Sequence, residues 1–519
     1  MELERQILHN SREVGRAFSQ VTLDDDYNLP DFKPDLTKVI KERGKIHLDE
    51  IHVNNGHVWF KGVLEFDILY RTDLDGKKIN SLNGEITFQE SLSIDGIEEL
   101  DPVKVEGKIE DISVSVINSR KLSIRSLAEF TAVAKKPEET AVLTGIPDKT
   151  GCEIETEQME ILELMTDKKD TLRIRKEISL SSNKPNMDEI LWSSVELRGV
   201  NSRLKNGEIE VAGEALIYVL YSGAEEEERL QWFETTVPIQ GSVECNTCEE
   251  SLVCRIEAAL AQVNMEALPD EDGEERNILL EMVVNLSICL WKEEQLEIIS
   301  DIYALDRQVN PGFQTACFEK LLVKNEAKCR MADKIEMDSE QEDILQICVN
   351  EEKLAIEQTA ITDEGVLAEG TLTVEVLYMT PDDAMPIGST RAYIPFSQVI
   401  EMPKAQNPVK IHLDGGIEQV TTVLADSRTI DVKAVISLNL LAFEQQERMA
   451  ITDIEETELD LAALQQSPGI VGYIAREGDR LFGIAKENHT TMENLMETNH
   501  LTGTVVKPGE KLLIIKTVG

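Results

Sequence analysis

The stretch at residues 62–70, GVLEFDILY, decides the fold because closely similar stretches follow at residues 213–221, GEALIYVLY, and 370–378, GTLTVEVLY. Successive side chains of a β-strand point to opposite faces, so alternate residues share a face. On one face, all three copies carry only apolar or aromatic side chains: Leu64, Phe66, Ile68 and Tyr70; Ala215, Ile217, Val219 and Tyr221; and Leu372, Val374, Val376 and Tyr378. The pattern predicts one half-buried strand in each of three repeats.

A second strand is predicted at the same place in each repeat. It begins after Arg120, Arg276 and Arg428, which follow the last tyrosine of each copy by 50, 55 and 50 residues. Alternate residues after each arginine are apolar or small over twelve positions, whereas the intervening residues are mostly polar. Two copies also carry Asn-Gly just before the first strand, at positions 55–56 and 206–207, and this dipeptide favours a tight hairpin turn.

These patterns predict a mainly β protein with three tandem β-sandwich-like domains, at residues 20–136, 168–295 and 318–448. Three acidic segments, 153–165, 293–308 and 445–466, are expected to link the domains, either as short amphipathic helices or as solvated acidic connectors, and the last linker is expected at 449–469. Residues 1–19 are expected to form an N-terminal helix, because Leu3, Ile7, Val14 and Phe18 recur at roughly helical spacing.

Composition narrows the classes of partner. The 519 residues include 98 acidic and 52 basic side chains, for a net charge of −46. Such a charge repels phosphate backbones and anionic membranes, so nucleic-acid binding is not expected. The chain has no apolar run long enough to span a bilayer and no secretory signal at its start. Eight irregularly spaced cysteines fit reduced thiols in a cytosol.

The last fifty residues, 470–519, have a different character. They hold six basic and six acidic residues, so this segment is neutral while the rest of the chain carries the whole net charge. Short apolar stretches at 473–475 and 511–515 predict strands. Asp479 is expected to cap a first helix, and the pattern Thr490-Thr-Met-Glu493 is expected to form a capping box for a second. The predicted order is strand, helix, helix, strand.

This C-terminal segment resembles a LysM domain. The resemblance rests on residues 473–485, YIAREGDRLFGIA, on 491–501, TMENLMETNHL, and on 506–514, VKPGEKLLI. It implies a shallow groove between two loops that binds glycans containing N-acetylglucosamine, such as peptidoglycan. Matched by motif, the groove residues are Gly478, Asp479, Arg480, Leu481, Phe482 and Ile484 on one side, and Thr504, Val505, Val506, Lys507, Pro508 and Gly509 on the other.

Two residues depart from the LysM pattern. Arg480 stands where Thr or Ser is common, and Phe482 stands where Trp is common. A cation in the first loop would favour an acidic group on a protein partner over a sugar. Leu481, Phe482 and Ile484 are expected to act as apolar anchors for that partner, with Ile484 alternatively a core residue.

The whole arrangement of three acidic β repeats followed by one LysM domain resembles the SipL type of spore coat morphogenetic protein, which is built from SPOCS domains. That resemblance implies a scaffold in the mother cell, at the outer surface of the forespore. Its implied partner is the ATPase that polymerises as the basement layer of the coat, bound through the LysM domain. The repeats are expected to contact other coat proteins.

Chemistry-bearing motifs are sparse. The sequence contains no phosphate-binding loop, no zinc-protease motif and no nucleophile elbow, so no catalytic residue is predicted. Cys245, Cys248 and Cys254 lack the second cysteine pair of a zinc site, and ordinary free thiols are favoured over a metal or redox centre. His47, His52 and His57 are interpreted as solvent-exposed strand residues, and no metal or cofactor is expected.

Three functions therefore stand at this point. A spore-envelope scaffold without enzymatic activity is preferred. A cell-wall protein whose LysM domain holds peptidoglycan is the alternative, against which the missing export signal counts. An enzyme with an accessory LysM domain is the third, and the triplicated pattern without a catalytic constellation disfavours it.

Overall fold

The computed structural model describes residues 2–73, 78–147, 151–224, 230–339, 341–466 and 468–516. Over these residues the chain forms three six-stranded units and a small C-terminal unit. The first repeat has β1 (Glu4–Asn28), β2 (Leu36–Asn54), β3 (His57–Thr72), β4 (Ile79–Ser93), β5 (Val103–Asn118) and β6 (Lys121–Gly145). The second has β7 (Cys152–Ser179), β8 (Met187–Lys205), β9 (Glu208–Gly223), β10 (Leu230–Glu244), β11 (Val253–Pro269) and β12 (Glu275–Ala304). The third has β13 (Gln308–Glu336), β14 (Gln346–Ile361), β15 (Gly365–Met379), β16 (Ile387–Glu401), β17 (Val409–Asp426) and β18 (Thr429–Thr457).

Each repeat is a pair of three-stranded antiparallel sheets. In the first repeat the sheets have the strand orders β2-β3-β4 and β1-β6-β5, and the other two repeats copy this topology. The two predicted strands lie in β3 and β6, the central strand of each sheet. Their apolar faces meet in one core that includes Leu64, Phe66, Ile124 and Phe130. The predicted mainly β fold with three sandwich-like repeats is confirmed.

The residues that repeat most regularly hold the loop between the first two strands of each unit. The guanidinium of Arg120 donates to the carbonyl oxygens of Pro30 and Lys33, at 2.8 and 2.6 Å. Arg276 donates to backbone carbonyls of the matching loop in the second repeat, and Arg428 does so in the third. The hydroxyls of Tyr70 and Tyr221 each donate to a proline carbonyl in the same loops, at 3.2 Å. These arginines and tyrosines therefore have structural roles.

The three repeats close into a ring. The first contacts the second where Arg43 donates to the carbonyl of Ser193 at 2.8 Å. The second contacts the third through the ion pair of Arg255 with Asp414 at 2.7 Å. The third returns to the first, because Lys353 donates to the carbonyl of Ile109. Arg198 of β8 also pairs with Glu352 of β14 at 3.0 Å. The equivalent strands β2, β8 and β14 thus each contact the next repeat, and the ring has approximate threefold symmetry.

The predicted N-terminal helix is wrong. Residues 4–28 form the single strand β1, which pairs with β6 from Glu4 opposite Gly145 to Asn28 opposite Lys121. The helical spacing of the apolar residues was outweighed by this long-range pairing, which satisfies the backbone amides and carbonyls of the whole segment. Leu8 is buried in a core that all three repeats share.

The predicted helical linkers are also largely wrong. Residues 153–165 belong to β7 and residues 293–304 to β12, so the sheets continue through both segments. The paired strands β1 and β6, β7 and β12, and β13 and β18 extend beyond the sandwiches as three two-stranded antiparallel ribbons. The apolar residues of these ribbons pack together between the repeats, which offsets their acidic composition: Leu8, Val142, Met159, Ile161, Leu296, Ile298, Ala316, Phe318 and Ala450. In the third segment, strand continues to Thr457 before a short helix.

The C-terminal unit has the predicted order of strand, helix, helix, strand. The elements are α1 (Leu461–Gln466) in the connector, then β19 (Ile470–Ile474), α2 (Leu481–Glu487), α3 (Met492–Asn499) and β20 (Lys511–Ile515). Strands β19 and β20 pair antiparallel. The longest helix in the described part of the chain has eight residues, too few to cross a bilayer. Residues 517–519 of the predicted domain lie outside the described residues.

Candidate binding site

The two loops predicted to form a groove meet at the ends of β19 and β20. The amide of Gly509 donates to the carbonyl of Ala475 at 2.8 Å, and the amide of Ala475 donates to the carbonyl of Glu510 at 2.9 Å. Gly478 and Gly509 both have positive φ, +90° and +86°, which favours glycine at these turns. These bonds hold the end of the second loop beside Ala475, three residues before Gly478 of the first loop.

Asp479 shapes the first loop but does not cap the helix as predicted. Its carboxylate accepts from the backbone amide of Arg476 at 2.7 Å and from the hydroxyl of Tyr473 at 2.8 Å. These two donors lower the pKa of Asp479. The residue at the cap of α2 is Arg480, whose side chain makes no capping hydrogen bond. The cap of α3 is likewise Thr491, one residue after the predicted one, and it accepts from Asn494.

The three predicted apolar anchors are not at the surface. Leu481, Phe482 and Ile484 are buried among residues of the C-terminal unit, and the ring of Phe482 also contacts Tyr303 of β12. Helix α2 turns these side chains inward because they lie on its one apolar face. Their predicted contact with a partner is wrong for this fold.

The remaining predicted groove residues divide into exposed and buried positions. Thr504, Val505, Lys507, Pro508 and Gly509 are exposed in the second loop, and Gly478 is exposed in the first. Val506 is buried in the core. The side chain of Arg480 is 73% exposed and forms an ion pair with Glu155 of β7 at 3.2 Å. The exposed part of the groove is therefore made mainly by the second loop.

An apolar surface that the sequence analysis missed lies on the other side of the same unit. Ile470 and Ile474 of β19, with Leu513 and Ile515 of β20, project from the sheet away from both helices. These four side chains are 46–66% exposed. We call this surface the apolar sheet face. Ile470 lies directly opposite Ile515 in the strand register, so the side chains are neighbours.

The signal for this face was present in the sequence. The strands read IVGYI and KLLII, with apolar residues on both sides instead of the alternation expected when helices cover one side only. Val471, Tyr473, Leu512 and Ile514 face the helices, and the intervening residues face solvent. Contiguous apolar patches on a protein surface are candidate interaction sites.

The cysteine cluster behaves as part of a core. Cys245 and Cys248 are buried at the turn after β10, where Cys245 and Cys248 exchange backbone hydrogen bonds with Gly207. Ile94 and Ile97 hold the same places in the first repeat, with the same bonds to Gly56. Burial raises the pKa of the Cys248 thiol, which disfavours the reactive thiolate. Cys254 has a raised pKa for the same reason.

The three histidines each contact a different side chain. His52 contacts Glu50 at 3.3 Å, His47 contacts Asp49 at 3.7 Å, and His57 contacts Ser93 at 3.1 Å. Among the described residues, no group of three or more histidine, cysteine, aspartate or glutamate side chains is placed to hold a metal ion.

Comparison with protein families accounts for most of this architecture. The model of the SipL SPOCS domain matches three times, at residues 35–117, 186–268 and 343–425, and a LysM model matches residues 473–514. The chain belongs to the SipL family. Each SPOCS match begins near the second strand of a repeat and ends in its fifth, and the LysM match covers the C-terminal unit. A comparison with curated proteins gave no match.

Membership of the SipL family links the chain with sporulation. The SPOCS and LysM domains belong to non-catalytic families. Their combination is consistent with a coat-associated scaffold or with a protein that binds a ligand through its LysM domain. The LysM domain suggests glycan or peptidoglycan binding, and the apolar sheet face offers that same domain a second surface.

Proposed function

We propose that this chain is a non-enzymatic scaffold of the spore envelope that docks through its LysM domain on the ATPase of the coat basement layer. The site of action would be the mother cell, at the forespore surface, and the SPOCS repeats would bind other coat proteins. Membership of the SipL family supports the scaffold role. The observation that carries the docking surface is the apolar sheet face, since four large exposed apolar side chains gather there.

The structure changes which residues this proposal uses. The buried Leu481, Phe482 and Ile484 support the LysM fold, and Ile470, Ile474, Leu513 and Ile515 are proposed to contact the ATPase. Desolvation of such a cluster on binding contributes about 25 cal/mol for each Å² of apolar surface removed from water. Arg480 already has an acidic partner within the chain, so a contact of Arg480 with the ATPase would compete with Glu155.

Binding of the full-length chain to the purified ATPase tests the proposal. Leu513→Asp places a charge in the centre of the apolar sheet face and should reduce binding at least tenfold. Leu100→Asp is the matched control, because Leu100 is an equally apolar and highly exposed residue of the first repeat. Normal binding of the Leu513→Asp chain, or equal losses in both variants, would contradict the proposed docking surface.

Peptidoglycan binding remains the second candidate, because the second groove loop is exposed from Thr504 to Val505 and from Lys507 to Gly509. Purified sacculi are the probe, with the wild-type chain and an Arg480→Ala variant. Tight retention on sacculi together with no affinity for the ATPase would replace the scaffold proposal with a wall-binding function. Retention by the ATPase alone would support the scaffold.

A further inference from the structure

The LysM domain is packed against the second SPOCS repeat. The ring of Tyr303, near the end of β12, meets the ring of Phe482 edge to face, with 5.0 Å between centroids. The Tyr303 hydroxyl donates to the carbonyl of Thr490 at 2.8 Å, in a buried hydrogen bond. Burial of the tyrosine raises its pKa well above the ordinary value. One aromatic side chain thus contributes both apolar packing and a directional bond to the LysM domain.

Two ion pairs flank the aromatic contact. Lys486 of α2 pairs with Asp301 of β12 at 2.6 Å, and Arg480 pairs with Glu155 of β7 at 3.2 Å. Both pairs are partly exposed, so each contributes little to stability. Their value is geometric, because opposite charges at two separate points select one orientation of α2 over the paired strands β7 and β12.

The equivalent positions of the other two repeats hold different residues. Tyr303 follows Arg276 by 27 residues, and the same distance from Arg120 and Arg428 leads to Pro147 and Glu455. The strand register places Glu155 opposite Asp301. The corresponding pairs are Glu4 with Gly145 in the first repeat, and Gly312 with Asp453 in the third. At these equivalent positions, neither the first nor the third repeat has an aromatic residue.

The covalent connection does not by itself select this position. Strand β18 ends at Thr457 and β19 begins at Ile470, so about a dozen residues join the ring to the LysM domain. Part of this connector is helix α1, and Lys516 of the LysM domain donates to the carbonyl of Leu464 in that helix at 2.6 Å. The connector therefore limits the position of the LysM domain, and the contact with β7 and β12 determines which side of α2 meets the second repeat.

We propose that Tyr303, Asp301 and Glu155 form a latch that holds the LysM domain on the second repeat in one orientation. The latch covers the Phe482 side of α2 and leaves the apolar sheet face exposed. The LysM domain is then a fixed part of the ring rather than a freely tethered module. This inference concerns the chain alone and does not depend on the identity of any partner.

Hydrogen exchange on the full-length chain tests the latch. Tyr303→Ala removes the ring and the hydroxyl. It should abolish the protection from amide exchange that the contact gives to peptides covering residues 481–492 and 151–157. Tyr303→Phe removes only the hydroxyl and should give a partial loss. Glu455→Ala, the exposed counterpart in the third repeat, is the control and should leave both peptides unchanged.

A charge exchange separates a latch from a general loss of folding. Asp301→Lys should raise exchange in the same peptides, and adding Lys486→Asp should restore the wild-type pattern. Unchanged protection in Tyr303→Ala would overturn the proposal. So would loss of protection throughout β19 and β20, because Tyr303 would then be part of the LysM core. A dimeric mass of the wild-type chain in light scattering that becomes monomeric in Tyr303→Ala would place the contact between two copies and also overturn it.

Discussion

The positions that build each SPOCS repeat and the positions where the three repeats meet follow opposite rules. Within the repeats, the loop-binding arginine is the same residue three times, at Arg120, Arg276 and Arg428. At the junction, equivalent strand positions hold three different residues. Lys41, Trp192 and Val349 lie opposite Leu69, Leu220 and Leu377 in the same register.

The residues at the junction complement one another. The ammonium of Lys41, only 1% exposed, pairs with Glu375 at 2.6 Å and with Glu351 at 3.2 Å. The indole of Trp192 donates to Glu351 at 2.7 Å and stacks beneath the guanidinium of Arg43, 4.7 Å from the ring centroid. Burial opposes the charge of Glu351, but Lys41 and Arg43 outweigh it and lower its pKa. The first repeat thus contributes the cations, the second the indole and the third the carboxylates.

This difference shows that the repeats share one fold but present different residues to their neighbours. An identical junction residue in every repeat would allow several arrangements, or association with repeats of another copy. Complementary buried charges favour the one order in which each side chain meets its partner. We therefore expect substitutions at the junction to have unique effects, and substitutions at repeated positions to have similar effects in all three repeats.

The largest effect is expected at Lys41. Lys41→Met removes the buried ammonium that pairs with both Glu351 and Glu375, and removal of one partner from a buried pair costs about 3–5 kcal/mol. Urea denaturation at neutral pH measures the free energy of unfolding. Lys61→Met, at an exposed lysine paired with Glu50, is the control. A loss below about 1 kcal/mol for Lys41→Met would show that the junction is not held by this network.

The next effect tests the repeated arginines. Arg276→Ala removes hydrogen bonds to the carbonyls of Ser181 and Lys184 and to the side chain of Asn186. Bonds from a charged donor contribute about 1.5–3 kcal/mol, and we expect a loss near 2 kcal/mol. Arg120→Ala should give a similar loss in the same denaturation assay. Values that differ by more than about 2 kcal/mol would contradict the equivalence of the repeats.

A smaller effect is expected at the hairpin glycines. Gly56 and Gly207 have φ of +79° and +84°, in space that would otherwise admit a Cβ atom. Alanine there adds the strain of a left-handed conformation, about 1–2 kcal/mol. Thermal unfolding of Gly56→Ala and Gly207→Ala should show equal shifts. Gly469→Ala, at a site with ordinary φ and open space, is the control.

The smallest effect at neutral pH is expected at the repeated tyrosines. Tyr70→Phe removes one hydrogen bond, to the carbonyl of Pro34, and should cost about 1 kcal/mol. Burial raises the pKa of Tyr70 and of Tyr378 to about 12, from 10. Below pH 10 both folded and unfolded states hold the proton. Between pH 10 and 12 the unfolded state loses it first, so stability should fall as pH rises.

Denaturation of wild-type chain at pH 9 and pH 11.5 measures this fall. The Tyr70→Phe variant should lose less stability over the same interval, because one titrating group is absent. An equal fall in the variant and in the wild-type chain would mean that Tyr70 does not contribute to the alkaline sensitivity.

Much of the repeat fold was available from the sequence because its signals are local. Period-two alternation placed the central strands, and the Asn-Gly dipeptides placed two hairpins. Local signals could not predict the N-terminal strand or the extensions of the paired strands beyond the sandwiches. Their apolar residues, such as Leu8 and Phe318, are buried only by chain segments from other repeats. Acidic residues between them made these segments resemble solvated helices.

The candidate site shows the same division. The LysM motif located the two loops, and the positive φ of Gly478 and Gly509 agrees with their turn chemistry. The motif could not show that Arg480 meets Glu155, because that contact joins residues more than 300 positions apart. The apolar sheet face had a local signal, because both strands of the domain carry apolar residues on both sides. The LysM motif indicates only the groove.

Closure of the ring also has a consequence for the order of events during synthesis. Glu351 follows Lys41 by about 310 residues, which a ribosome adds in roughly 15–60 s at 5–20 residues per second. Throughout that interval Lys41 of the first repeat has neither carboxylate partner. The core that β1 and β6 share with the other repeats also lacks the apolar residues of the third repeat. The nascent chain must therefore remain soluble with an incomplete surface until the third repeat leaves the ribosome.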